Sequence, residues 1–286
     1  MKWLKARRAP TLWLLTWLYI LWSLAPVLVA ARISLNSGRS RSTFQSPSFT
    51  WYWGDKTSSV WHDDALQQAM FNTLKLAGLC MLIATPLGVA MAIGLHRWRS
   101  RVSTASNTLM LVPIVTPEIV FGVALFVLFT QLYTGIPSGF TTQLIGHVTF
   151  TLSFVVVIIR GRLTAIGAHY EEAARDLGAT RVQALRLVLL PLLGPAIFSS
   201  LMVVFATSVD DFVISQFLST GAGNETVPIK IYSGARAGST PALNALATVM
   251  LLLTLGAVAA AGLVMRAMRH RSGGGSSAGG LAALSS

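Results

Sequence analysis

Three carboxylates lie in stretches of the chain that are otherwise apolar: Glu118, Asp210 and Asp211. A charge at the centre of a bilayer costs about 2.5 kcal/mol or more unless it is solvated or paired, so such residues usually serve a function. Glu118 lies 15 residues after Ser103, and Asp210 lies 16 residues after Gly194. At 1.5 Å per residue, both are about 22–24 Å along their helices. At one depth, the three carboxylates would form a site that favours cations.

The helices that hold these carboxylates are expected to be irregular. Pro117 directly precedes Glu118 and should break its helix, which is tolerated in a membrane where the freed backbone groups line a cavity. We therefore predict that Glu118, Asp210 and Asp211 line a substrate path. Two simpler interpretations stay open: the Asp pair only marks the end of a helix, or one carboxylate pairs with Lys75.

A second polar feature, residues 171–178, interrupts two apolar blocks. Its Ala, Glu, Arg and Leu residues favour a helix. Gly178 predicts a left-handed turn, Thr180 can cap a second short helix through Arg186, and Pro191 should open the next apolar block. Such an elbow between two membrane spans would present a knob to a soluble partner, although an amphipathic connector lying on the lipid surface is an alternative.

The spacing within this elbow carries a family resemblance. Glu172-Ala173-Ala174, then Gly178 after three residues, and Leu190-Pro191 further on resemble the EAA loop of ABC importer permeases. The resemblance implies that this loop, near residues 168–190, docks into a separate ATPase and transmits its closure to the membrane helices. The coupling residues that it implies are Glu171, Glu172, Ala173, Ala174, Asp176 and Gly178.

Further motifs narrow the resemblance. The runs 208–215, 228–233 and 244–248, and the Pro117-Glu118 step, are similar to the second permease subunit of spermidine/putrescine-type ABC importers. The resemblance implies an all-α type I importer fold with six transmembrane helices and a cytoplasmic EAA coupling helix. It implies a polyamine or related cationic amine as solute. The implied partners are an ABC ATPase dimer that binds ATP and Mg²⁺, a second homologous permease subunit and a periplasmic solute-binding protein.

Composition places the chain in a membrane. Of 286 residues, 53% are hydrophobic and 11% are charged, and the mean hydropathy is +0.63, whereas a soluble domain has about 25% charged residues. The apolar runs predict spans at residues 11–31, 65–95, 103–132, 143–159, 192–217 and 241–265. The predicted domains are a first helix with an extracytoplasmic segment (1–64), a permease core (65–268) and a disordered Gly/Ser tail (269–286).

Two N-terminal features have alternatives. Basic residues before the run at 11–31 could indicate a cleaved signal peptide, but the length of the run and its Trp and Tyr residues favour an uncleaved helix. In residues 32–64, Phe49, Trp51, Tyr52, Trp53 and Trp61 could lie at the headgroup level or form a docking surface for an external partner.

The net charge of +12 is a topology signal. Fifteen Lys and Arg residues fall on the side of the two termini and the elbow, six on the other side, and Lys75 lies in a span. The positive-inside rule then places both termini and the elbow in the cytoplasm, and the family resemblance implies a bacterial inner membrane. Nucleic acid is not an expected partner, since membrane lipid and topology account for the basic residues.

The sequence shows no pattern of residues that predicts a catalytic or metal-binding site. The single cysteine, Cys80, lies in an apolar run and is expected to be a packing residue, and the five histidines show no metal-ligand spacing. No phosphate-binding loop occurs, so ATP hydrolysis is expected on a separate chain. The alternative function is a proton- or sodium-coupled secondary transporter in which Glu118, Asp210 and Asp211 relay ions. The elbow favours the importer, because a secondary transporter needs no ATPase contact.

Overall fold

The computed structural model describes residues 10–40, 43–97, 105–106, 108–221, 223–237 and 240–273, with Pro10 and the residues after 266 described by backbone alone. In these ranges the regular structure is helical, apart from an isolated β-bridge between Asn36 and Pro47. Lys2, Lys5, Arg7, Arg8, Arg41, Arg99, Arg101 and Ser103, which entered the predictions above, lie outside the described residues, as do residues 274–286 of the predicted tail.

The helices follow the apolar runs of the sequence. They are α1 (Pro10–Ser34), α2 (Asp64–Arg97), α3 (Val112–Val115), α4 (Glu118–Val127), α5 (Phe140–Ile166), α6 (His169–Asp176), α7 (Arg181–Ala184), α8 (Leu190–Asp210), α9 (Val213–Leu218), α10 (Val227–Ala237) and α11 (Pro241–Gly273). Single π-helical turns occur at Thr50–Gly54, Leu128–Leu132 and Leu185–Leu189. Within the described ranges, five helices are long and apolar enough to cross a membrane, and a shorter apolar helix covers Glu118–Leu132.

Two of the predicted spans are interrupted in the structure. The span predicted at 103–132 is broken at Pro117, as expected, because the preceding Thr116 is held in an extended conformation (φ −71°, ψ 131°). The span predicted at 192–217 was wrong as one helix, since α8 ends at Asp210 and α9 begins at Val213. Pro191 lies in the first turn of α8, as predicted, and α8 continues from α7 through the π turn at Leu185–Leu189. A π turn shifts the hydrogen-bond register by one residue, which accommodates the missing N–H of proline.

The chain divides into two compact units, Met1–Gln67 with Lys230–Leu252, and Gln68–Ile229 with Leu253–Ser286. The domain boundaries predicted from sequence stay a prediction. In the first unit, Trp51 is buried and donates its indole N–H to the backbone carbonyl of Asn36 (2.6 Å). The membrane or docking role expected for Trp51 was therefore wrong, whereas Phe49 and Trp53 are exposed and stack on each other at 5.5 Å.

In the second unit, α2, α5 and α8 share a core, and α5 packs along α8. The side chains at its centre are almost fully buried: Cys80, Ala84, Val155, Val156, Ile159, Leu193 and Val204. Cys80 is the packing residue that its apolar run predicted, with its thiol 3.2 Å from the Thr151 hydroxyl. Burial of this apolar surface holds α8 against α5.

The short helix α9 lies against both α4 and α5. A side chain on Gly122 of α4 would approach the Phe217 ring to 2.8 Å, so glycine permits this close contact. On the other side, the Gln143 amide of α5 donates to the backbone carbonyls of Ser215 and Asn224 (3.0 and 3.2 Å). The two breaks, at Pro117 and after Asp210, are brought into the same region by these contacts.

Candidate functional site

The break between α8 and α9 exposes polar groups within an apolar bundle. Asp210 is the last residue of α8, and Asp211 has an extended backbone (φ −62°, ψ 118°). The Asp211 carboxylate oxygen Oδ1 accepts the backbone N–H of Ser215 (2.9 Å), a group that would otherwise be unpaired at the start of α9. The Asp pair thus does mark the end of a helix, as the simpler interpretation held, but the side chain of Asp211 turns inward and is buried.

His147 of α5 is the centre of this buried polar cluster. Its Nδ1 lies 2.8 Å from the Ser208 hydroxyl of α8, and its Nε2 lies 2.9 Å from the Ser215 hydroxyl of α9. The same Nε2 is 3.3 Å from Asp211 Oδ1. The side chains of His147 and Asp211 are 1% and 2% exposed. The imidazole therefore joins the two helices across the break.

The donor and acceptor roles of the ring nitrogens depend on where the ring carries its protons. If Nε2 carries the proton, it donates to Ser215 and Asp211, and the Ser208 hydroxyl donates to Nδ1. If both nitrogens are protonated, Ser208 accepts instead. In both arrangements Asp211 Oδ1 accepts the Ser215 N–H and lies 3.3 Å from the protonated Nε2. The other oxygen, Oδ2, is also buried, and the Glu118 carboxyl is a hydrogen-bonding neighbour of the Asp211 side chain.

Glu118 completes the cluster from α4. It is the first residue of that helix, directly after Pro117, and its side chain is partly exposed. Its carboxyl interacts with Asp211 and, by charge alone, with Asp210. Asp210 itself is exposed. The structure thus brings the three carboxylates that the sequence singled out into one neighbourhood, and their role in a substrate path stays a prediction.

Lys75 does not form the ion pair with one of these carboxylates that the second simpler interpretation proposed. Its ammonium group lies 4.5 Å from the centre of the Phe140 ring and 5.9 Å from that of Phe71. Such cation–π contacts stabilise a cation without an acidic partner. Among the described residues, the ion pairs do not include one between Lys75 and Glu118, Asp210 or Asp211.

The role of His147 was not predicted from the sequence. It lies in an apolar run and was one of five scattered histidines. The described residues contain no cluster of three or more His, Cys, Asp or Glu side chains that could hold a metal ion. The available signal was a single polar residue, His147, that shares an apolar helix with Gln143, one turn before it; both are buried.

The polar elbow is a second candidate site, and its geometry follows its sequence. α6 ends in a Schellman motif: the N–H of Gly178 donates to Arg175 (2.9 Å) and that of Ala179 donates to Ala174 (3.0 Å). Gly178 has φ +90°, the left-handed conformation that glycine adopts most easily. This confirms the turn predicted at Gly178.

The second half of the elbow is fixed by a capping box. The Thr180 hydroxyl accepts the N–H of Gln183 (3.3 Å), and the Gln183 side chain accepts the N–H of Thr180 (2.8 Å). The predicted cap is confirmed. The cap at the end of α6 and the cap at the start of α7 together define the conformation of the elbow. Between the two helices, the Leu177 side chain is 91% exposed.

The two glutamates of the elbow differ in their surroundings. The Glu171 carboxylate forms an ion pair with Arg97 at the end of α2, and its side chain is 27% exposed. The Glu172 side chain is 65% exposed and 3.9 Å from His169. A cavity of about 270 Å³ lies beside them, lined by Arg97, Ala168, Glu171, Glu172, Arg175 and Arg181. Glu171 is thus held within the chain, whereas Glu172 faces outward.

Comparison with known proteins matches the chain to permease components of transport systems. The family model described as "Binding-protein-dependent transport system inner membrane component" matches residues 84–270. The spermidine/putrescine transport system permease protein PotC of Haemophilus influenzae is 36% identical over 245 residues, covering 86% of this chain and 92% of that protein. The PotC protein of Escherichia coli K12 is 37% identical over 241 residues (84% and 88%). The putrescine transport system permease protein PotI of Escherichia coli K12 is 35% identical over 245 residues (84% and 84%).

Solved structures share the fold at lower identity. A bacterial ABC transporter involved in the import of the acidic polysaccharide alginate matches with a TM-score of 0.72 at 17% identity, covering 91% of this chain and 96% of that one. The MetNI methionine ABC transporter in inward-facing conformations matches with a TM-score of 0.61 at 18% identity, covering 71% and 95%.

Proposed function

The chain belongs to the family of binding-protein-dependent transport system inner membrane components, and from this premise we propose that it passes polyamines or related cationic amines in an ATP-driven importer. The observation that carries the proposed solute is the match, along most of their length, to permeases named for spermidine and putrescine. The carboxylates near the break after α8 support it, because a protonated amine needs anionic partners in an apolar surrounding.

The proposed solute path runs past Glu118, Asp210 and Asp211. Asp210 is exposed and Glu118 is partly exposed, although both lie at the ends of apolar helices. A lipid-facing carboxylate would be costly, so this face must border water or a protein neighbour. A second homologous six-helix subunit would close the path there, and a periplasmic solute-binding protein would deliver the amine to it.

The proposed motor contact is the elbow from His169 to Gln183. ATP and Mg²⁺ would bind to a separate ATPase dimer, whose closure would push on this segment. Glu172, Ala173, Asp176 and the exposed Leu177 would face the ATPase, while Ala174 and Gly178 form the turn. The family resemblance implied that Glu171 contacts the ATPase. We propose instead that it connects the elbow to α2, because its carboxylate forms an ion pair with Arg97.

Movement of this elbow would then be passed to two helices. α7 continues through the π turn into α8, so a push on the elbow acts along the helix that ends at Asp210. The Arg97 contact acts on α2. Tilting of these helices would exchange access to the carboxylates between the two sides of the membrane. A rigid connection between the elbow and α8 supports this lever more than a flexible loop would.

The orientation that we propose places the elbow and both termini in the cytoplasm of a bacterial inner membrane. Its support is the excess of Lys and Arg on that side, fifteen against six. The secondary-transporter alternative is less favoured, since the family to which the chain belongs is a component of binding-protein-dependent systems.

Uptake into proteoliposomes tests the proposed function. The chain would be reconstituted with its ATPase, second permease subunit and binding protein, and radiolabelled putrescine uptake would be measured with ATP on the ATPase side. We expect uptake that requires ATP and persists when a protonophore and a sodium ionophore dissipate both gradients. Uptake that collapses with the gradients, at constant ATP, would favour the secondary transporter.

A further inference from the structure

The cavity beside the elbow lies where two spanning helices end. We call this cavity, of about 270 Å³, the elbow cavity; its lining includes Arg97, the last residue of α2, and Ala168, two residues beyond the end of α5. α5 has 27 residues, which is about 40 Å at 1.5 Å per residue. A bilayer with its headgroup regions is about 40–45 Å thick. The elbow cavity therefore lies at the depth of the lipid headgroups.

The lining of the elbow cavity has an excess of positive charge. Its charged residues are Arg97, Arg175, Arg181, Glu171 and Glu172, so three arginines against two glutamates leave one positive charge. Arg97 and Glu171 form an ion pair with each other. Among the described residues, the ion pairs include neither Arg175 nor Arg181. The charge of the cavity therefore suits an anion.

The two arginines without an ion pair come from opposite sides of the turn at Gly178. Arg175 lies in the last turn of α6, and Arg181 is the first residue of α7. The caps at these two helix ends hold the backbone on both sides of the turn. A guanidinium group is a planar fork of N–H donors that binds phosphate oxygens in pairs. Two such groups at one cavity favour a phosphate over a carboxylate-sized ion.

We propose that the elbow cavity binds the phosphate of an anionic phospholipid headgroup, with Arg175 and Arg181 as its ligands. The depth of the cavity favours a lipid phosphate over a soluble one, and basic pockets at the ends of membrane helices bind such headgroups. Phosphatidylglycerol has one negative charge, which matches the excess charge of the lining. The volume also admits more than a single ion, since one water molecule occupies about 30 Å³. This inference does not depend on which solute is transported.

A bound headgroup has a consequence for the elbow. It connects Arg175 of α6 to Arg181 of α7 across the turn at Gly178, and it holds the elbow against the membrane surface. The lipid therefore contacts the elbow on a different set of side chains from Glu172, Ala173, Asp176 and Leu177, which the proposed function assigns to the ATPase.

Photo-cross-linking in nanodiscs tests this site. The chain, assembled with its ATPase and second permease subunit, would be placed in phosphatidylcholine nanodiscs with a small fraction of photoreactive phosphatidylglycerol, and adducts would be mapped by mass spectrometry. We expect adducts at the ends of α2 and α5 that border the elbow cavity. Photoreactive phosphatidylcholine at the same fraction should label these ends several-fold less, because its choline cation would face the arginines. Equal labelling by the two lipids would overturn the anionic site.

Substitutions in the same complex locate the site. Arg175→Gln with Arg181→Gln should lower phosphatidylglycerol labelling by about tenfold or more, the effect of losing two basic contacts to an anionic headgroup. Each single variant should lower it by about threefold. Arg175→Lys with Arg181→Lys retains both charges and should stay within about threefold of the wild type. Recovery of the intact complex on size-exclusion chromatography shows that each variant has folded and assembled.

Arg186→Gln is the matched control. Arg186 is exposed in the π turn that follows α7, and it does not line the elbow cavity. This variant should leave labelling unchanged. If it lowers labelling as much as Arg175→Gln or Arg181→Gln, the lipid responds to the overall charge of this face, and the cavity is not the site.

Two further comparisons exclude other ligands. Inorganic phosphate should reduce labelling no more than sodium chloride of equal ionic strength; stronger competition by phosphate would assign the cavity to a soluble anion and overturn the lipid site. Labelling should be the same with and without the ATPase. If assembly with the ATPase abolishes it, the ATPase fills the cavity and the inference is wrong. Labelling without putrescine uptake would contradict the proposed function and leave this inference standing.

Discussion

Arg97, at the end of α2, forms an ion pair with Glu171, in the first turn of α6. Their side chains are 41% and 27% exposed, so the pair contributes only about 0.2–1 kcal/mol to stability. Its consequence is mechanical: it links the elbow to a second membrane helix besides α8. Loss of the pair should thus affect coupling more than folding.

Charge reversal tests this link. Arg97→Glu should reduce binding-protein-stimulated ATP hydrolysis in the reconstituted complex by about threefold or more, because two glutamates would then repel each other. Adding Glu171→Arg restores opposite charges and should restore most of the stimulation. The Glu171→Arg single variant is measured as well. If the loss of stimulation in the double variant equals the product of the losses in the two single variants, the residues act independently and the link is wrong.

Gly178 should tolerate few replacements, for reasons of backbone conformation alone. Its φ is +90°, and a Cβ there would meet no atom within 4 Å. Gly178→Val should therefore cost about 1–2 kcal/mol from the left-handed backbone and not from a clash. We expect it to abolish putrescine uptake while the chain still inserts and is recovered from the membrane.

Gly178→Asn is the matched control, because asparagine adopts left-handed conformations several-fold more often than most residues. It should retain a large part of the uptake. Gly161→Ala, at a helical glycine with no neighbour within 4 Å, should be close to wild type. Normal uptake by Gly178→Val would contradict the role of this turn as a lever.

The Asp pair should matter for the solute more than for assembly. Asp210→Asn with Asp211→Asn removes two charges from the proposed path and should lower putrescine uptake by about tenfold or more. Co-purification of the ATPase should be unchanged, since both residues are distant in sequence from the elbow. Unchanged uptake, measured at putrescine concentrations below saturation, would place these carboxylates outside the path.

Orientation can be read from cysteine labelling. Cys80 is buried, so a Cys80→Ala chain provides a background for single cysteines at Leu177, which is 91% exposed, and at Lys56. A membrane-impermeant maleimide should label Lys56→Cys in spheroplasts and Leu177→Cys only after permeabilisation. Labelling of Leu177→Cys in sealed spheroplasts would place the elbow outside and reverse the proposed topology.

Local sequence rules predicted the elbow well, because its conformation depends on near neighbours. The Schellman turn needs a glycine at position 178, and the capping box needs Thr180 with Gln183 three residues later. Both are determined within six residues. The same holds for the break at Pro117, where proline restricts Thr116 directly.

The buried cluster depends on contacts that are distant in sequence, and sequence reasoning therefore missed most of it. Nothing near Asp211 indicates that His147, 64 residues earlier, lies beside it. The end of α8 was also missed, because residues 192–217 contain no charged residue except the Asp pair. A continuous helix and a helix with one break have the same hydrophobic pattern in the sequence. The break becomes apparent only from the packing of α9 against α4 and α5.

Site-specific cross-linking from residue 177 tests most directly whether a separate ATPase grips the elbow. A photoreactive amino acid at Leu177 of the assembled complex should form an adduct with the ATPase, and the yield should change when ATP is bound. The same amino acid at Lys56 should give no ATPase adduct. If residue 177 yields no ATPase adduct, or one with the binding protein in its place, the importer mechanism proposed for this chain is contradicted.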